Sequence, residues 1–143
     1  MDGFFSGKRV FLTGHTGFKG AWLSLWLHRL GARVRGFALE PPSRPSLFDL
    51  SAAGDLVEDV RGDLRDAAAV AGAMSAFQPD IVVHMAAQAL VRPSYDDPAG
   101  AFASNALGTA HVLDAVRRTP SVRAVVNVTS DKCYENREWV WGY

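Results

Sequence analysis

The most constraining stretch lies near the start, where residues 8–13 (KRVFLT) run into Gly14, Gly17 and Gly20 at three-residue spacing and then into a helix-like pattern. A short apolar run flanked by a basic pair and a glycine reads as a buried strand. Beyond the glycines, Trp22, Leu23, Trp26, Leu27 and Leu30 recur as one face of a helix, and Gly31 stands where a C-terminal cap belongs. A strand that turns through glycines straight into a helix lets backbone approach a ligand closely and aims unbonded helix amides at it. That arrangement suits the pyrophosphate of a dinucleotide, with an ordinary tight turn as the alternative. A Walker loop is excluded, because it needs Gly-Lys-Ser or Gly-Lys-Thr and here Lys19 precedes Gly20.

The pattern then repeats with variations. Residues 33–39 (RVRGFAL) alternate and stop before Pro41, Pro42 and Pro45, giving a second strand and a loop to about residue 54. A third strand is expected at residues 56–61, an Ala-rich helix at 66–77, and a fourth strand at 80–84 (DIVVH). Asp97-Pro98 reads as cap and first turn of the longest helix, running to about residue 118 with Phe102, Ala106, Thr109, Val112, Leu113 and Val116 on one face. Residues 123–129 (RAVVNVT) form a fifth strand, and residues 130–143 have no clear period. Strands alternating with helices imply an α/β fold: a Rossmann-type, doubly wound parallel sheet in three α/β/α layers, occupying residues 1–143 as one domain.

Composition narrows the partners. Fifteen basic residues balance fifteen acidic ones, so no field concentrates polyanions, and neither nucleic acid nor an anionic membrane is expected as a partner. Cys133 is the lone cysteine, and His15, His28, His84 and His111 show no metal-ligand spacing with it, so no metal site is expected. The start, Met1 to Phe5, lacks the basic and apolar regions of a signal peptide, and no stretch suits a membrane span. A cytoplasmic protein is expected.

Several polar residues fall at strand ends, where parallel sheets bind ligands. The ribose-binding acid expected at the end of the second strand is displaced: Ala38 takes its place, and Glu40, two residues on, is either its substitute or a solvated loop acid. No Arg directly follows that strand, which favours NAD over NADP. Asp63 is either an adenine acceptor or a turn acid. Ala86 and Ala87 permit a close approach after the fourth strand. Asn105, on the stripe of the long helix, either holds a loop by hydrogen bonds or belongs to the site. His84 reads as a satisfied core histidine, and Trp22 and Trp26 as core or interface residues. Ser130, Asp131 and Lys132 bring a hydroxyl, an acid and an amine together after the fifth strand, as an acid/base cluster or as a polar turn with a surface ion pair.

TGHTGFKG at 13–20, HMAAQALVR at 84–92, NALGT at 105–109 and TSDKCYENREWVWGY at 129–143 together resemble the N-terminal part of an extended short-chain dehydrogenase/reductase. The last motif is the most specific, and it is similar to the nucleotide-sugar 4,6-dehydratases that act on CDP-glucose. The resemblance implies a lyase of deoxysugar and lipopolysaccharide O-antigen biosynthesis: oxidation at C4 with NAD as cofactor, loss of water across C5 and C6, and hydride return to C6. It places Ser130 on the C4 hydroxyl, Asp131 as the acid for the departing C6 hydroxyl, and Lys132 as the C5 base or an orienting group. A lysine with an ordinary pKa of about 10.4 needs a nearby cation or desolvation to act as a base. Further, the resemblance implies that Gly14, Thr16, Gly17, Phe18, Lys19 and Gly20 cradle the pyrophosphate. Asp63 and Leu64 would hold the adenine; Ala86, Ala87, Gln88 and Thr129 the nicotinamide half, with Asn105 in the same site. Gln88 and Arg92 would reach the sugar nucleotide. Relatives commonly form dimers or larger homo-oligomers.

One departure matters. Relatives use a Tyr-x-x-x-Lys pair, but Tyr95 is followed four residues on by Ala99 and Tyr134 by Glu138, while Tyr143 is last. The pair and the region that binds the substrate nucleotide are expected beyond residue 143, and these 143 residues alone are expected to be inactive. A nucleotide-sugar 4-epimerase and a silent dinucleotide-binding module are the competing readings.

Overall fold

The computed structural model describes residues 3–142, without the side chain of Asp131; Met1, Asp2 and Tyr143 lie outside the described residues. In chain order the elements are β1 (Arg9–Thr13), α1 (Phe18–Arg29), β2 (Arg33–Ala38), α2 (Leu47–Leu50), a 3₁₀ turn (Ala53–Leu56) and β3 (Glu58–Arg61). There follow α3 (Ala67–Phe77), β4 (Ile81–His84), α4 (Val91–Asp96), α5 (Pro98–Phe102), a π turn (Ala103–Leu107), α6 (Gly108–Arg117), β5 (Ala124–Asn127) and a 3₁₀ turn (Asp131–Cys133). All neighbouring strands are parallel, in the order β3-β2-β1-β4-β5. The expected doubly wound sheet is therefore present. Its strand order reverses between β1 and β4, which opens a crevice at their carboxyl ends.

The layers follow from the period of two along each strand. Phe11, Phe37 and Val82 face one side and pack with Val70, Met74 and Phe77 of α3 and Val112 and Ala115 of α6. Val10, Leu12, Val34 and Ile81 face the other side, where Leu27 of α1 covers them. Where chain and expectation part, local causes are visible. Ser46 accepts a hydrogen bond from the Asp49 amide and so starts α2 inside the stretch read as loop. β5 is an edge strand exposed along its whole length. Trp22 and Trp26 are more than half exposed on α1, so they are not core residues.

The long helix differs most. Asp97 caps it through the Gly100 amide and Pro98 takes the first turn, as expected, but five residues of π helix interrupt it before α6. The extra residue rotates the face: Phe102, Ala106 and Leu113 are exposed, and the buried positions are Gly108, Val112 and Ala115. Asn105, expected on the buried stripe, is exposed on the π turn. No helix among the described residues is long and apolar enough to cross a membrane.

Candidate cofactor crevice and active-site cleft

The glycine loop leaves β1 at Gly14, whose φ of +77° is costly for any residue with a Cβ. Its amide donates to the Phe37 carbonyl of β2 at 2.9 Å. A Cβ on Gly14 would lie 2.9 Å from the Ala86 Cα, so the loops after β1 and β4 touch here because neither carries bulk. A Cβ on Gly20 would collide with the Gly14 carbonyl, which explains the third glycine by helix-to-loop packing. The Thr16 hydroxyl, buried, donates to the Leu39 carbonyl at 3.0 Å and pins the loop to the tip of β2.

At the start of α1 no side chain caps the first amides, and the first turn carries no acid. In α3, by contrast, Asp66 accepts from the Ala68 and Ala69 amides. An uncapped twelve-residue helix aimed into the crevice, with glycine and alanine walls, has the room and the donors that a pyrophosphate requires. The residues thus fit a dinucleotide.

The tip of β2 and β3 carries a network that strand-by-strand reading misses. His15 is fully buried; its Nε2 bonds Asp59 Oδ1 at 2.8 Å, and its ring edge meets Phe48 with centroids 5.4 Å apart. The ring lies on Gly36, where any Cβ would strike it. A glycine inside the second strand was the one sequence signal of this close approach. Burial pushes the His15 imidazole below its ordinary pKa, against the Asp59 hydrogen bond, which favours the charged form. Arg61 pairs with Asp59 at 2.7 Å and with Glu40 at 3.5 Å, and donates to the Leu39 carbonyl. A cation therefore does reach the β2 tip, delivered by β3 rather than by the residue after β2. Glu40 is exposed and faces that Arg.

After β3, the Asp63 carboxylate accepts from the Arg65 amide at 2.9 Å and pairs with its guanidinium, which holds the acid below its usual range. Leu64 is buried, and its carbonyl bonds His111 Nδ1 at 2.8 Å. The main chain of this corner is fixed, and the Asp63 side chain is engaged with its neighbour.

After β4, the expected core histidine is present: His84 is buried, with Nδ1 2.6 Å from the Thr13 hydroxyl and Nε2 2.9 Å from that of Thr109. Asn105 clamps the next loop from both sides, its Oδ1 accepting from the Gln88 amide at 2.7 Å and its Nδ2 donating to the Gln88 carbonyl at 3.1 Å. The loop-holding alternative for Asn105 is thus realised. The Gln88 side chain turns to its own loop and accepts from the Leu90 amide.

Ser130 and Lys132 line a cleft of about 530 Å³ with Gln88, Leu90, Ser94 and Tyr95. The Val128 amide donates to the His84 carbonyl, which extends the β4–β5 ladder towards Thr129 and Ser130. The Ser130 Oγ accepts from the Lys132 amide at 3.1 Å, and that bond shapes the 3₁₀ turn presenting both residues. Arg92, on α4, is not among the residues lining the cleft. The structure therefore brings Gln88, Ser130 and Lys132 together in one cleft, whose lining contains no residue of the glycine loop. Among the described residues no cluster of His, Cys, Asp or Glu could hold a metal ion.

Residues 10–139 match the model of the NAD dependent epimerase/dehydratase family. Among curated proteins, the chain is 55% identical over 140 residues to CDP-glucose 4,6-dehydratase of Salmonella typhimurium, spanning 98% of this chain and 39% of that protein. It is 33% identical to UDP-glucose 4-epimerase of Mycolicibacterium smegmatis, over 85% of this chain and 38% of that one. The chain thus spans about two fifths of the length of these relatives. Among solved structures, a UDP-glucose-4-epimerase from Stenotrophomonas maltophila with bound NAD and formylated UDP-arabinopyranose superposes with a TM-score of 0.80 at 26% identity, over 93% of this chain and 40% of that one.

Proposed function

The chain belongs to the NAD dependent epimerase/dehydratase family, and from that premise we propose that the natural gene product carrying it converts CDP-glucose to CDP-4-keto-6-deoxyglucose. The observation that carries this reading is the 55% identity to the Salmonella dehydratase, against 33% for the Mycolicibacterium epimerase. Held by the glycine loop and the start of α1, NAD would supply the hydride acceptor for oxidation at C4 and, once reduced, the hydride donor for C6.

The chain's own residues do the rest. Gly14, Thr16, Gly17, Phe18, Lys19 and Gly20 cradle the pyrophosphate, with the uncapped amides at the start of α1 as donors while those of Gly14 and Gly17 hold the loop itself, and Asp63 and Leu64 present fixed backbone to the adenine. Ala86, Ala87, Gln88 and Thr129 wall the nicotinamide half. In the cleft, Ser130 holds the C4 hydroxyl and Gln88 binds the sugar nucleotide, which Arg92 on α4 reaches from outside the cleft lining. Asp131 gives a proton to the departing C6 hydroxyl, while Lys132 takes the C5 proton or orients the sugar. Oxidation at C4 makes the neighbouring C5 proton acidic, which is why an acid and a base must stand together there. The 143 residues contain no Tyr-x-x-x-Lys pair, so none of the roles proposed for them includes removal of the C4 hydroxyl proton. Cytoplasmic nucleotide-sugar metabolism, feeding deoxysugars of surface polysaccharide, and a homo-oligomeric enzyme agree with this reading.

A 4-epimerase shares the oxidation but needs no acid for a leaving hydroxyl. Asp131→Asn in the natural gene product separates the two readings. With CDP-glucose and NAD, the dehydratase reading expects reduced-cofactor absorbance to build up while water loss falls by at least about 100-fold, the usual scale of a general acid. Unimpaired turnover to a stereoisomer would support the epimerase.

A further inference from the structure

We propose that His84, in its neutral Nε2–H form, is a positioning residue: it joins the cofactor loop after β1 to the Gln88 wall of the cleft through one continuous hydrogen-bonded strut. The inference rests on the family reading only in what the two ends bind.

The directions of the bonds follow from counting. A threonine hydroxyl has one proton and two lone pairs. The Thr13 Oγ accepts from the Met85 amide at 3.0 Å and from the Ala86 amide at 3.1 Å, which uses both lone pairs. Its proton is therefore donated to His84 Nδ1 at 2.6 Å, so Nδ1 carries none. At the far end the Thr109 hydroxyl lies 2.6 Å from the Asn105 carbonyl, which can only accept. Thr109 thus donates to Asn105, and accepts from His84 Nε2–H at 2.9 Å. Every proton has one place, and a second proton on the ring would meet a hydroxyl with no lone pair left.

The strut then runs on. Asn105 holds the Gln88 amide and carbonyl with its own amide group. Thr109 bonds the Asn105 carbonyl one helical turn back, while the Asn105 side chain, on the π turn, faces the Gln88 loop. At the near end, Thr13 directly precedes Gly14, and Gly14 packs on Ala86. One imidazole therefore fixes the spacing of the crevice at the switch point and the position of a cleft wall. Burial, which pushes the His84 pKa below its ordinary value, agrees with a ring kept neutral.

The test uses the natural gene product. Long-range nitrogen–proton correlation NMR on the unmodified protein is expected to show His84 Nδ1 unprotonated and Nε2 protonated across the neutral range. The opposite tautomer, or a doubly protonated ring near pH 7, would overturn the strut. Thr109→Val removes both hydroxyl bonds with little change of volume, and Thr109→Ser restores them. Amide exchange at Met85, Ala86 and Gln88 is expected to quicken roughly fivefold in the valine variant, the scale of one hydrogen bond, and to recover in the serine variant. On CDP-glucose, KM is expected to rise by a similar factor with kcat held within about twofold, whereas mere loss of folded protein would lower kcat and leave KM unchanged. Unchanged exchange at all three amides would overturn the proposal. Absence of turnover on any sugar by the unmodified protein, with the expected tautomer and exchange, would contradict the dehydratase reading and support the strut.

Discussion

Gly14 combines two demands that no other residue meets: a positive φ and a neighbouring backbone within 3 Å of where a Cβ would stand. Gly14→Ala is expected to cost about 2 kcal/mol, from left-handed strain and from pushing the β1 and β4 loops apart. Urea unfolding would show it as a lower midpoint at unchanged slope. His15 and His84 make a second residue-scale prediction. Both imidazoles are held below the ordinary value of 6.5 by burial. The unfolded chain therefore takes up protons in a range where the native chain does not, so their contribution is favourable at pH above 6.5 and is lost as pH falls below it. The expected slope approaches about 1.4 kcal/mol per pH unit for each histidine until its depressed native pKa is reached. Asp63, Asp80 and Asp114, held low by Arg65, Arg9 and Arg117, lose their contributions in a separate window, below the ordinary carboxylate range. A stability curve flat from pH 7 to pH 5 would contradict the histidine assignment. Glycines with positive φ are legible because the residue type announces them. The bond of His15 to Asp59, across 44 positions, leaves no periodic trace, and only Gly36 hints at it.

The element that departs most from its sequence pattern is the interrupted helix of α5, the π turn and α6. A 3.6-residue period cannot reveal one inserted residue, so Phe102, Ala106 and Leu113 read as core and stand exposed. Its cap and first turn were legible, because Asp97 and Pro98 act locally. β5, expected as a strand, is one, and among the described residues it stands at the sheet edge with all four residues exposed. At this scale Asn105, which lies on the π turn, carries a testable contact. Asn105→Ala releases both bonds to Gln88 and is expected to weaken dinucleotide binding by roughly tenfold while shifting the melting temperature little, because the clamp is exposed. Titration calorimetry with NAD checks it, and an unchanged dissociation constant would mean that the Gln88 loop holds itself.

For the whole molecule, the parallel, layered α/β sheet was legible from alternation of strand and helix, whereas the strand order and the position of the crevice between β1 and β4 come from the structure, because alternation does not fix which strands are neighbours. The candidate cleft was legible in part: Ser130 and Lys132, which the sequence offers together with Asp131 as an acid/base cluster or a polar turn, line it with Gln88 and Tyr95. Because these 143 residues hold no Tyr-x-x-x-Lys pair, the isolated chain is expected to bind NAD weakly and to leave CDP-glucose unchanged. Water loss catalysed by the chain alone would overturn that. The most direct measurement is the product mass after the natural gene product is incubated with NAD and, separately, CDP-, dTDP- and UDP-glucose. Loss of one water from CDP-glucose alone is the predicted result; an unchanged mass with a new stereoisomer, or no reaction with CDP-glucose, would contradict it.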